Sequence, residues 1–97
     1  MERQDGAAAR ALALAARAPD TYIGAAVALA RLAEQAGDDT AAYGTLVTGW
    51  ATVSDLLGAE LARAAFEPLM REQRLRWGAE RFDSARAEHE ARRRAAS

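Results

Sequence analysis

The sequence predicts an all-α protein, and three observations carry that prediction. Alanine, the strongest helix former, supplies 27 of the 97 residues. No stretch alternates apolar and polar residues as a half-buried strand does. Pro19, Gly37, Gly58 and Gly78 stand 18, 21 and 20 residues apart, a beat of one helix plus one turn. The expected architecture is about five mostly antiparallel helices, in a compact bundle or a short helical-repeat stack. A single helical domain over residues 1–97 accounts for the length, with 92–97 as a frayed basic tail.

The first helix is expected over about residues 6–17, capped by Asp5, with a mostly alanine surface broken by Leu12 and Leu14. Pro19 ends it, and Asp20 is placed to cap the second helix, which runs to about residue 36. That second helix is apolar nearly all round, interrupted only by Arg31, Glu34 and Gln35, and is therefore expected to be the most buried element. The third helix follows Gly37-Asp38-Asp39, where either aspartate can cap, and ends near Leu57. Ala42, Tyr43, Leu46, Val47, Trp50, Val53 and Leu57 recur at three- and four-residue spacings and form its apolar face. Its other face carries Thr45, Thr48, Thr52 and Asp55, which read as a solvated face, with a polar wall lining a groove as the alternative.

The fourth helix, about residues 59–77, turns Leu61, Ala65, Phe66, Leu69 and Trp77 inward. Pro68 lies inside it, removes one backbone donor and clashes with the preceding turn, so a kink near Glu67 or a break is expected. The fifth helix, about 79–93, is amphipathic around Phe82 and Ala85 and sets Glu88–Arg92 and Glu90–Arg94 four residues apart in the favourable order.

Little in the chain reads as catalytic chemistry. There is no cysteine, so disulfides and thiolate metal ligands are excluded. His89 is the only histidine; the positions three and four residues away are Ala85, Arg86, Arg92 and Arg93, none a metal ligand, so it reads as an exposed helical histidine. The glycines form no phosphate loop, and Asp38-Asp39 lack the oxygen ligands that a calcium loop places after them. No serine stands beside a base. The sequence thus predicts no enzyme, no metal and no cofactor.

The formal charge is −1, with −4 over residues 1–60 and +3 over 61–97. Arg92-Arg93-Arg94 could touch phosphates, but Glu80, Asp83, Glu88 and Glu90 in the same helix cancel much of that field, so nucleic acid is not the expected partner. No membrane partner is expected either, because the apolar run from Ala11 to Ala16 is far too short to span a bilayer. The mixed-charge N-terminus is unlike a signal peptide, and the expected location is cytoplasmic. All 13 cationic residues are arginine, with no lysine, which fits a GC-rich bacterial genome.

From Tyr22 to Leu57, Leu29-Ala30 stand as a large–small pair, Gly37 falls in a turn, and Ala42 and Gly49 flank Leu46 on the next helix. This pattern resembles a tetratricopeptide-type helical hairpin, in which small residues let two antiparallel helices approach closely. Ala26 and Ala33 stand where that family prefers aromatics and Ser54 where it prefers proline, and Gly78 follows Gly37 by 41 residues, against the family's 34. The resemblance implies a helical-repeat protein that holds another protein or peptide.

The function expected from the sequence is a non-enzymatic protein-interaction or adaptor module. The alternative is a small helical accessory protein that binds an apolar ligand for a neighbouring enzyme. Tyr43, Trp50, Met70, Arg74 and Trp77 are the candidate partner-binding residues. Five short helices offer too few neighbours to bury Tyr43, Trp50, Met70 and Trp77 together, and that surplus predicts a two-fold homodimer.

Overall fold

A computed structural model describes the backbone of residues 2–96 and the side chains of residues 9–96. The described residues form five helices and no strand: α1 (Glu2–Arg17), α2 (Pro19–Gln35), α3 (Asp39–Leu57), α4 (Ala59–Trp77) and α5 (Ala79–Ala96). α1 begins at Glu2, four residues ahead of the expected start, and the side chain of Asp5, the expected cap, lies outside the described residues. α5 continues to Ala96, three residues past its expected end.

The joints explain the spacing. α2 ends in a Schellman turn: Asp38 N–H donates to the Ala33 carbonyl at 2.9 Å and Gly37 N–H to the Glu34 carbonyl at 3.0 Å, with Gly37 at φ +83°. Asp38 is the aspartate that caps α3, its carboxylate accepting from Ala41 N–H at 3.0 Å. Gly58 and Gly78 are each an entire joint, serving as the last residue outside one helix and the first outside the next. Their backbones, φ 102°/ψ 153° and φ 87°/ψ 155°, lie in a region essentially reserved for glycine. The α1–α2 joint differs from expectation. Pro19 opens α2 at its first position, where its missing N–H costs nothing, and Asp20 sits inside the first turn as an acidic residue near the positive helix end.

α3, not α2, is the central element. It packs against all four other helices and buries Thr40, Ala42, Tyr43, Gly44, Leu46, Gly49 and Val53. α2 buries only Ala26 and Ala30, while Leu29 and Leu32 are 58% and 61% exposed. Apolar composition misled here because five of the ten apolar residues of α2 are alanine, which gains little from burial and so does not compete for the centre.

Two clusters make the core. Ala26, Ala30, Leu46, Val53, Ala62 and Phe66 form one between α2, α3 and α4; Ala42, Tyr43, Trp77, Phe82 and Ala85 form the other between α3, α4 and α5. Met70 packs against both. Leu61, expected inside, is exposed, and Ala62 beside it is buried.

The two hairpins α2–α3 and α4–α5 are stacked in register. Arg76 donates to Glu34 at 2.7 Å, Arg81 to Asp39 at 2.7 and 2.8 Å, and Arg31 to Glu72 at 3.5 Å, pairs 41 or 42 residues apart. The turn at Gly37 therefore lies beside the joint at Gly78, and α4 runs in the same sense as α2.

α4 is continuous through Pro68, so of the two expected outcomes, a kink near Glu67 or a break, the break does not form. The Ala64 carbonyl loses its intrahelical donor, and the ring is solvent-exposed, so it fills no core space. Alanine is about 3 kcal/mol more favourable than proline inside a helix, less about 1 kcal/mol for the stiffness proline gives the unfolded chain. Pro68→Ala should raise stability by about 2 kcal/mol, read from the urea midpoint; an unchanged or lowered midpoint would show that the packing needs the proline.

Candidate functional site: an apolar groove among four helices

An open groove of about 610 Å³ lies among α1, α2, α3 and α5. Its existence follows from side-chain size. α1 offers Ala11 and Leu14, α2 offers Ala25, Ala26 and Leu29, and α3 offers Ala41 and Gly44. These small groups hold the helices close in places without filling the space between them. Among the described side chains of α1 only Ala15 is buried. Tyr22, Ala25, Ala26 and Leu29 stand at i, i+3, i+4 and i+7, so one face of α2 runs along the groove. Thr45 and Thr48 line it as well, so this part of the threonine row is a groove wall. The Thr45 hydroxyl donates to the Ala41 carbonyl at 2.8 Å, which leaves its oxygen lone pairs for an incoming donor.

His89 also lines the groove, and it is half-buried, not exposed as its flanking glutamates suggested. Its ring meets Tyr43 edge-on at 5.5 Å, and Tyr43 in turn meets Phe82 at 5.4 Å. A Cβ on Gly44 would fall 2.8 Å from His89 Nδ1, so α3 and α5 pack this closely only because Gly44 has no side chain. His89 Nε2 is buried with no hydrogen-bond partner. The signal that could have revealed this was Gly44 itself. A glycine inside a helix costs about 1 kcal/mol relative to alanine, which a close approach can justify at Gly44, whereas Gly24 inside α2 has nothing within 4 Å.

A second, polar cleft of about 770 Å³ lies at the Gly37 and Gly78 joints and includes Asp39, Glu80, Arg81 and Ser84. Among its described lining residues the one cation, Arg81, is engaged by Asp39. The Arg81 guanidinium binds both oxygens of Asp39 and lies 4.7 Å over the Trp77 ring. The hydrogen bond from Arg81 holds the Asp39 carboxyl below its ordinary value, against a smaller opposing effect of burial. At Glu34, burial pushes the pKa up, but Trp77, Arg76 and the Arg81 charge outweigh it and the net shift is downward. Trp77 Nε1 is buried and falls short of hydrogen-bond geometry, so it acts on Glu34 as a nearby dipole.

Both carboxylates bind a proton less tightly when folded than when unfolded. Their stabilisation is therefore complete above the ordinary values of 3.8 for Asp39 and 4.5 for Glu34, and is lost as pH falls through the lowered folded values. The urea midpoint should drop between pH 5 and pH 2, and Asp39→Asn should flatten part of that drop. An equal drop in the variant would show that the Arg81 pair contributes nothing.

The five residues expected to bind a partner do not form one surface. Tyr43 and Trp77 are buried in the second core cluster, where burial pushes the Tyr43 phenol above its ordinary value. Trp50 is half-buried and stacks on Phe66 at 6.5 Å, Met70 bridges the two clusters, and Arg74 is exposed on α4. The aromatic surplus from which a two-fold dimer was expected is thus largely absorbed inside one chain. The sequence counted too few neighbours because it did not place α5 across α3.

Among the described residues, no group of three or more His, Cys, Asp or Glu side chains could hold a metal ion. No helix among them is long and apolar enough to cross a membrane. In comparisons with known proteins, no family model, no curated protein and no solved structure matches this chain.

Proposed function

We propose that this chain is a non-enzymatic protein-interaction module of the helical-hairpin type, and that its groove takes one amphipathic helix of a partner protein. The observation that carries this reading is the open apolar groove with its floor of small residues, Ala25, Ala26, Ala41 and Gly44. Small floor residues let a helical backbone come close, and large apolar side chains at i, i+3, i+4 and i+7 of the partner then fill the space. The stripe from Tyr22 to Leu29 extends about 10 Å along α2, roughly two helical turns. The openness of the groove favours a chain segment over an enclosed small ligand. The in-register stack of α2–α3 and α4–α5 agrees with the tetratricopeptide-type resemblance, whose members hold peptides.

The test is a selection from a displayed library of random 16-residue peptides against the whole chain. Selected peptides should share an apolar i, i+3/i+4, i+7 pattern and become helical on binding. Ala25→Arg and Thr48→Arg, which place a charged side chain in the groove from α2 and from α3, should each weaken binding by about 100-fold, while Leu75→Arg on α4 should leave it unchanged. Binders indifferent to both groove variants would place the interaction elsewhere.

A further inference from the structure

We infer that the α5 end of the groove recognises a carboxylate, so that the helix docking there is acidic along the edge of its apolar face. The inference rests on the docking reading above and adds the chemistry of the partner.

Of the 13 described residues that line the groove, none is acidic and only Arg92 carries a full charge. Arg92 stands three residues after His89, so both project from neighbouring positions on one face of α5. Glu88 pairs with Arg92 through one guanidinium nitrogen. Glu88 does not line the groove; it faces the polar cleft at the helix joints. Arg92 thus lies between its own carboxylate partner on one side and the groove on the other. A guanidinium carries five donors in a planar fork, and one carboxylate oxygen of Glu88 leaves most of them for a second anion.

The second observation is independent of Arg92. His89 lines the same end, pressed against Gly44 and Tyr43, and its Nε2 is buried with no partner. An unmet polar group in such a place is costly, and an arriving acceptor relieves that cost. A carboxylate meets both demands, as the anion for Arg92 and, once the His89 ring turns its N–H toward the groove, as the acceptor for the imidazole. A basic side chain meets neither. A neutral amide offers an acceptor but no charge.

The test uses three synthetic 16-residue peptides with one shared leucine face and flanking positions filled by Glu, Gln or Lys, titrated onto the whole protein by fluorescence anisotropy. The Glu peptide should bind about 10-fold more tightly than the Gln peptide and about 100-fold more tightly than the Lys peptide at low salt, and the spread should shrink at about 0.5 M salt. Arg92→Gln, an exposed substitution that leaves the core untouched, should reduce the Glu-over-Gln preference below about 3-fold. His89→Gln should reduce it in the same direction. Equal binding of all three peptides would overturn carboxylate recognition and leave helix docking standing. Binding by none would overturn the docking reading itself. A Glu preference that survives Arg92→Gln would move the acidic contact to another part of the surface. Laurate, run as a competitor, should not displace the Glu peptide; displacement dependent on Arg92 would assign the site to a small apolar acid.

Discussion

Phe66→Ala should cost about 3–5 kcal/mol, the largest effect expected of any single substitution in the α2–α3–α4 core. Phe66 is fully buried, and its ring fits against Gly49 so closely that a Cβ there would stand 2.9 Å from two ring carbons. The Trp50 ring stacks on it, 6.5 Å between centroids. Removing the ring leaves a cavity between a glycine and a tryptophan held by its own helix, neither of which can move in to fill it. A 97-residue domain has only about 5–15 kcal/mol of total stability, so the variant should be marginal at room temperature. Urea unfolding followed by circular dichroism measures the loss. A cost below about 1 kcal/mol would mean that α4 does not seat on α3 through this ring. The same contact makes a second, coupled expectation. Gly49→Ala should destabilise by about 1–3 kcal/mol in the parent and by much less beside Phe66→Leu, because the shorter side chain removes the clash.

Trp77→Ala should cost about 3 kcal/mol and loosen the joint between the two hairpins. The side chain fills the second core cluster beside Phe82, 6.4 Å away, and supports the Arg81 guanidinium over its face. Truncating such a residue typically costs about 3–5 kcal/mol. Two smaller terms act on that figure. An exposed cation–π contact adds about 0.5–1 kcal/mol to the loss. The indole N–H is buried short of hydrogen-bond geometry, and its removal returns about 1–3 kcal/mol, less what its dipole contributes to the Glu34 carboxylate. Trp77→Phe separates them, since it keeps an aromatic ring and deletes the unmet donor; it should cost about 1 kcal/mol or less. A Trp77→Phe variant as damaged as Trp77→Ala would show that the N–H has a partner in solution.

The sequence made the helices legible because glycine has few reasons to recur at such a spacing. Gly37, Gly58 and Gly78 all hold positive φ, and each falls where a helix ends. The α3 face was legible for the same kind of local reason. Its apolar residues follow helical periodicity, and Tyr43, Leu46 and Val53 are buried as that periodicity requires. Pro19 and Pro68 were harder, because proline restricts its own backbone without deciding whether a helix stops, starts or continues. The order of burial between α2 and α3 was misread for another reason: hydropathy counts an alanine as apolar although its side chain buries little area.

The groove was only faintly legible as a site. It is made by residues from α1, α2, α3 and α5 that are distant in sequence, and its walls owe their shape to side chains that are absent as much as to those present. The threonine row hinted at it, and Gly44 marked the close approach of α5. Neither says which helix crosses there. That crossing carries His89 from an apparently solvated helix face into the groove wall.

The central claim is that this groove is the docking surface. The most direct measurement is a two-dimensional ¹H–¹⁵N spectrum of the labelled protein titrated with the Glu-flanked leucine peptide. The account predicts progressive shifts at the amides of Ala25, Leu29, Ala41, Thr45, Thr48 and Arg92, with Leu56, Leu61 and Leu75 unmoved. Shifts centred on those exposed leucines of α3 and α4, or no shifts at saturating peptide, would contradict it.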